Sequence, residues 1–342
     1  MATTALTPSA PDAGESSPPA PSPKTPHPAV ALVGMVGGLG AILVLLLALF
    51  ILPSLKSGPH DLPIGLVGTP SAIAQAQESL TTLDSNAYDV VTFADEEALD
   101  EAIRDREVVG GLVIKDDAIH AMVASAGSTA ISGTLTATAT QMAASYERPL
   151  AVTDVVPLPQ EDPTGIGVGG LAFPLVFGGI VPVVAFASLF PRSNTLRLAG
   201  IVAFAGLGGV LVAAVLQYWF GSVTAAFWPV AGAMALGIAA LALPLAGLQK
   251  LFGGKGFTAG AMTMMFLGNP LAGIGTTGAW LPTGLGTFGQ LLPPGATGAL
   301  VRSAAYFGGA GATVPALTLA AWILVGALLT ATGIKRAAKT RD

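Results

Sequence analysis

The chain has 342 residues, 52% of them hydrophobic and only 10% charged, with a mean hydropathy of +0.70, which excludes an ordinary pair of soluble domains and points to a membrane protein. Cysteine is absent, so disulfide frameworks, thiolate nucleophiles and cysteine-ligated zinc are excluded. The formal charge of -5 hides an asymmetry: residues 53–165 hold seventeen acidic and five basic side chains, a net -12, whereas 163–341 hold no aspartate, glutamate or histidine. A surface that acidic argues against nucleic acid as a partner.

Residues 1–28 are rich in Pro, Ser, Ala and Thr, with Lys24 as their only lysine or arginine. They lack the apolar periodicity needed to bury a core and are expected to form a disordered cytoplasmic tail. A first transmembrane helix is expected over 29–52, where 30–52 is an unbroken run of apolar or small residues, enough to cross about 30 Å of hydrocarbon. A cleavable signal peptide is the competing reading, but the run exceeds the usual length of one and no A-x-A site follows. Gly34, Gly37, Gly38 and Gly40 either let another helix approach closely or reflect the ordinary tolerance of membrane helices for glycine.

From 53 to 165 the composition is that of a soluble domain. Strands are expected at 62–68, 88–93, 108–114 and 119–124, with a last extended piece at 152–158. Helices are expected at 70–83, with Ile73, Ala76, Leu80 and Leu83 on one face; after a cap at Asp95, with Leu99, Ala102 and Ile103 inward; and over 129–146, with Ile131, Leu135, Met142 and Tyr146 in one stripe. Alternating strands and helices predict a small α/β domain. Asp116-Asp117 and Asp95-Glu96-Glu97 could hold a cation, though a turn and a helix N-terminus account for them without one.

Five further spans are expected in a membrane domain at 166–334: 166–190, 198–216, 224–248, 257–280 and 313–334. Pro174, Pro182, Pro229, Pro244 and Pro270 fall within them, so kinked helices packed inside protein are expected. The piece 281–312 is too broken to span and should lie at the membrane surface or dip into it. A basic cytoplasmic tail closes the chain at 335–342. The fold class is therefore an α-helical polytopic membrane protein of six spans, one plus five, with an extracytoplasmic α/β domain after the first. Lys24, Arg192, Arg197, Lys250, Lys255, Lys335, Arg336, Lys339 and Arg341 all fall on one side, which puts both termini in the cytoplasm of a bacterial cell.

Catalytic motifs are scarce. G-x-G-x-x-G occurs at Gly165/Gly167/Gly170, Gly273/Gly275/Gly278 and Gly284/Gly286/Gly289, but only the first follows an expected strand, and a chain with 44 glycines produces such matches by coincidence. Gly254-Lys255 has the wrong neighbours for a phosphate-binding loop. There is no G-x-S-x-G or H-E-x-x-H, and His27, His60 and His120 are scattered, so no enzyme, cofactor or metal site is expected. The expected spans also lack the carboxylates and imidazoles that mark ion-coupled carriers, which points to an energy source outside the chain, although sodium held by backbone carbonyls remains open. Arg302 is the single lysine or arginine of the outer membrane block after 223. It reads as a contact for an anionic head group at the outer interface, or as a side chain snorkelling from an interfacial helix. Asn269 either lines a cavity or bonds to a neighbouring helix.

Three stretches carry a family resemblance. Glu97-Ala98 through Ala102-Ile103-Arg104 to Gly110-Gly111-Leu112-Val113-Ile114 resembles the external domain of bacterial type-2 ABC exporter permeases and of the related phage-infection-protein-like membrane proteins. Asp154-Val155-Val156-Pro157-Leu158-Pro159, with Asp162-Pro163 and Gly165, is similar to their return segment ahead of the second span. Leu291-Leu292-Pro293-Pro294-Gly295, with Arg302 and Tyr306-Phe307, resembles their last outer loop. The resemblance covers about residues 30–334 and rests on layout. It implies a permease subunit, homodimeric or paired, driven by a separate ATP-binding subunit that would touch the inner loops at Arg192, Arg197, Lys250 and Lys255. Two departures favour the relatives that act as envelope scaffolds, secretion accessories or phage receptors: 21–28 cannot form the usual amphipathic helix, and the first inner loop, 191–197, is short.

Overall fold

The computed structural model describes residues 28–339, and these divide after residue 45 into two units. Helix α1, Pro28–Leu55, runs across that division. It is apolar all round and its side chains, Leu32, Val36 and Leu43 among them, are exposed, as suits a helix solvated by hydrocarbon. The expected tail at 1–28 lies, Pro28 apart, outside the described residues.

The second unit contains the sheet domain, and here the expected elements correspond closely to the observed ones, except that the last strand ends at Asp154 instead of continuing to 158. They are β1 (Leu62–Gly68), α2 (Pro70–Leu83), β2 (Tyr88–Thr92), α3 (Glu96–Arg104), β3 (Gly110–Ile114), β4 (Ile119–Val123), α4 (Thr129–Ser145) and β5 (Leu150–Asp154). Each helix starts on a polar cap: Thr69 Oγ1 accepts from Ala72 N, Asp95 Oδ1 from Ala98 N and Ser128 Oγ from Ile131 N. The strand order is β2-β1-β3-β4-β5, and all neighbours are parallel except the β3–β4 hairpin. Asp116-Asp117 forms that hairpin's turn, closed by Lys115 N donating to Ala118 O at 3.0 Å.

The alternation of side chains sorts two cores. Ile64, Leu66, Leu112, Ile119 and Ala121 meet α2 and α4, while Val67, Val113 and Met122 share the α3 side with Leu99, Ala102 and Ile103. On the α3 side the strands carry Gly65 and Gly111, and a Cβ on Gly111 would meet the Leu99 methyls at 2.8–2.9 Å. That close approach is what glycine permits there.

The helical block comprises α5 (Ile166–Gly169), α6 (Ala172–Leu189), α7 (Asn194–Ala214), α8 (Phe227–Thr263), α9 (Leu285–Gln290), α10 (Pro293–Tyr306) and α11 (Thr313–Lys339). Single π-helical turns, Val215–Trp219 and Met264–Gly268, extend α7 and α8. Among the described residues, five helical stretches are long and apolar enough to cross a membrane: Pro28–Leu55, Ile166–Leu189, Asn194–Trp219, Phe227–Gly268 and Thr313–Lys339. The difference from six expected spans arises in Phe227–Gly268, which takes in most of the span expected at 224–248 and only the first part of the one expected at 257–280.

That stretch is interrupted at Gly253, whose φ of 68° and ψ of -155° belong to no helix. Residues 254–268 then fold back along the first arm. A Cβ on Gly260 would sit 2.7 Å from Leu248 Cδ1, whereas twelve residues of straight helix would separate the two by about 18 Å. The returning arm is about 22 Å long and ends at Gly268; beyond it Pro270 and the left-handed Gly273, φ 60°, lead into an irregular segment. The helix expected over 257–280 is therefore continuous only to Gly268. The first arm of α8 is the hub, with 67% of its most apolar window inside the block against 17–33% for Ile166–Leu189, Asn194–Trp219 and Thr313–Lys339.

Candidate functional site at the two ends of the helical block

At one end, the basic residues gather. α6 stops at Leu189, and Arg197 in the first turn of α7 donates from Nε to Phe190 O at 2.8 Å and from Nη2 to Pro191 O at 2.7 Å. The guanidinium thus gives donors to carbonyls just past the end of α6, the Phe190 carbonyl also accepting from Ser193 N at 3.3 Å. Arg197 and Lys250 line one small crevice with Asn194, Gln249 and Thr330, which brings the start of α7, the middle of α8 and the end of α11 together. Lys250 also packs on α11, where a Cβ on Gly333 would lie 2.8 Å from its Cγ. Arg192 and Lys255 are exposed, the first between α6 and α7 and the second two residues past the Gly253 break. Of the four expected loop contacts, the fold therefore pairs Arg197 with Lys250 around one crevice and leaves Arg192 and Lys255 on the surface. No helix intervenes between α6 and α7.

The other end meets the sheet domain, and sequence reasoning missed how much is buried there. Tyr306 and Phe307, at the tip of α10, pack into the α3-side core of the sheet. Arg106, just past α3, adopts a left-handed φ of 63° and lies 5.0 Å above the Phe307 ring. Arg302, one turn before that tip, is 7% exposed and donates from Nη2 to Ile274 O at 2.8 Å. Its head is thus enclosed by protein rather than extended to an interface. Burial, followed by repulsion from Arg106, pulls the Arg302 guanidinium down to about 10, still charged at neutral pH. Burial also lowers Arg106, and it pushes the Tyr306 hydroxyl up to about 12, with the Asp162 charge acting in the same direction.

Asp162 is the one acid among the buried described residues, at 8% exposure. Its two carboxylate oxygens accept from Ile166 N and Gly167 N, each at 2.8 Å, and so fix the chain where it enters α5. Tyr306 OH donates to Ser222 O at 3.0 Å, tying α10 to the loop after α7. Ser222 Oγ is fully buried and has no hydrogen-bond partner among the described residues; Gln217 Oε1 and Asn269 Oδ1 share that condition. The D-P-x-G pattern at 162–165, ahead of an apolar run, is the sequence signal that could have marked Asp162 as a cap.

The three G-x-G-x-x-G matches have a packing role. Gly165, Gly273 and Gly284 open them with φ of 70°, 60° and 80°, turning the chain between short elements. Gly286 and Gly289 bring α9 against the backbone at Gly278 and Leu271. Asp95 caps α3, and Glu96 takes Lys115 Nζ at 3.1 Å and His120 Nδ1 at 2.8 Å, so these acids are occupied by protein partners. Among the described residues no group of three or more His, Cys, Asp or Glu could hold a metal ion.

Long apolar helices joined to a small mixed sheet define the class: a mostly helical protein of membrane-protein character with an α/β domain between its helices. No family model, curated protein or solved structure matches the chain.

Proposed function

We propose that this chain is the membrane subunit of a bacterial exporter of the type-2 ABC kind, with six passes, both termini cytoplasmic, the sheet domain outside, and a separate ATPase supplying the energy. The observation that carries this reading is the polarity of the helical block: Arg197 and Lys250 converge at one end, the acidic sheet domain docks at the other, and no carboxylate or imidazole occurs in the apolar helices between. Without such groups the block has no titratable means of coupling to an ion gradient. The exposed Arg192 and Lys255 flank the same end and would complete the surface offered to the ATPase, with two permease subunits working together.

Affinity purification of the full chain from gently solubilised bacterial membranes tests this directly. A P-loop ATPase should copurify from wild type and be lost from the double charge reversal Arg192→Glu, Lys255→Glu. Repeated recovery with no ATPase, together with unchanged export after deletion of the gene, would sink the proposal.

One observation favours a second reading, an ATPase-independent envelope scaffold, secretion accessory or phage receptor. The connection from α6 to α7 holds no helix, and Arg197 is spent on its own chain's carbonyls. On that reading, deleting residues 61–162 abolishes binding of a partner protein and leaves export untouched.

A further inference from the structure

Beside the sheet-facing end of the block runs a groove of about 660 Å³, within the range of small-molecule sites. Leu171 and Pro174 form one wall; Leu211, Val215 and Phe220 form the other. The groove follows two stretches apolar enough to cross a membrane, Ile166–Leu189 and Asn194–Trp219, and it opens outward, since Leu211 and Phe220 are 56% and 49% exposed. Its π-helical wall is the one place where α7 departs from regular geometry, with Phe220 N donating to Val215 O at 2.9 Å.

The polar end has a different chemistry. Glu161, Asp162 and Ser222 close it, and neither Arg106 nor Arg302 lines it. Asp162 is more than nine-tenths buried, with only its two backbone donors as partners, and Ser222 Oγ is wholly buried with no partner among the described residues. A buried hydroxyl without a partner loses free energy unless something meets it, and two carboxylates at the mouth of an apolar channel select for positive charge.

We propose that this groove binds an amphiphile with a cationic ammonium head, its tail along Leu211 and Val215 and its head at Glu161, Asp162 and Ser222. An anionic head would face like charge, and a neutral alcohol would bring no counter-charge to the carboxylates. The site stands whether or not an ATPase drives the chain, because it follows from the groove alone.

The test uses the full chain in phosphatidylcholine nanodiscs with three probes sharing one tail: dodecylamine, which is an ammonium at pH 7, dodecanol and dodecanoate. Binding above that of empty discs should be saturable for dodecylamine, about tenfold weaker or more for dodecanol, and absent for dodecanoate. Glu161→Gln should weaken the amine several-fold while leaving dodecanol unchanged. Leu211→Trp, which fills the tail channel from an exposed position and leaves the Asp162 cap intact, should abolish saturable binding. Equal binding of all three probes, no saturable amine binding, or full binding by Leu211→Trp overturns the proposal. So does a wild-type dimer that Leu211→Trp dissociates in light scattering without any amine binding, which would assign the groove to a second copy of the chain.

Discussion

Asp162 illustrates how much one side chain decides at the junction between sheet and helices. Its two oxygens satisfy consecutive backbone donors at the start of α5, where no other capping group is available. Asp162→Ala removes both partners and should destabilise the chain by about 1–2 kcal/mol, seen as a lowered thermal unfolding temperature in detergent. Asp162→Asn, which keeps one acceptor oxygen, should lose about half as much. If Ala and Asn behave alike, the carboxylate is not acting as a cap. Arg302 carries the opposite lesson: a residue that reads from sequence as an isolated outer charge is enclosed, with a carbonyl rather than a carboxylate as its partner. Nothing in the spacing around Arg302 announces Ile274, because the two are brought together by the irregular segment after Gly268.

Among the elements, α8 sets the architecture because a single glycine turns it back on itself. At Gly253 the backbone lies in a region essentially reserved for glycine, and open space surrounds the position where a Cβ would stand. Any cost of Gly253→Ala is therefore conformational rather than steric. We expect a loss of about 1–3 kcal/mol in detergent unfolding, whereas Gly254→Ala, also in open space but without a positive φ, should be within about 0.5 kcal/mol of wild type. Equal effects at the two positions would mean that the break is not held by the Gly253 conformation. The hydropathy of 224–280 reveals enough apolar length for two spans. It does not reveal where the chain reverses, because Gly253 sits in a Gly-Gly-Lys-Gly run in which several positions could supply the turn.

Across the whole molecule, the absence of cysteine offers a clean measurement of sidedness. Single cysteines placed at the exposed positions Thr81, on α2 of the sheet domain, and Lys255, beyond the Gly253 break, should react with an impermeant maleimide from opposite sides of an intact membrane. Thr81→Cys is expected to label in intact cells and Lys255→Cys only after the cells are opened. Labelling of both from one side would place the sheet domain and the basic end together and contradict the proposed orientation.

Composition and periodicity alone determined the class, the location of the apolar stretches though not their division into five, the α/β character of 62–154 and most strands and helices in it, since each rests on local pattern: alternation of two, periods near 3.6, caps and turns. Tertiary structure decided the sheet order, the return of α8, the docking of Tyr306 and Phe307 on the sheet, the enclosure of Arg302 and Asp162, and the groove beside α7. Those features join residues from tens to more than two hundred positions apart. No local pattern encodes such a meeting; close packing of side chains in the folded chain does.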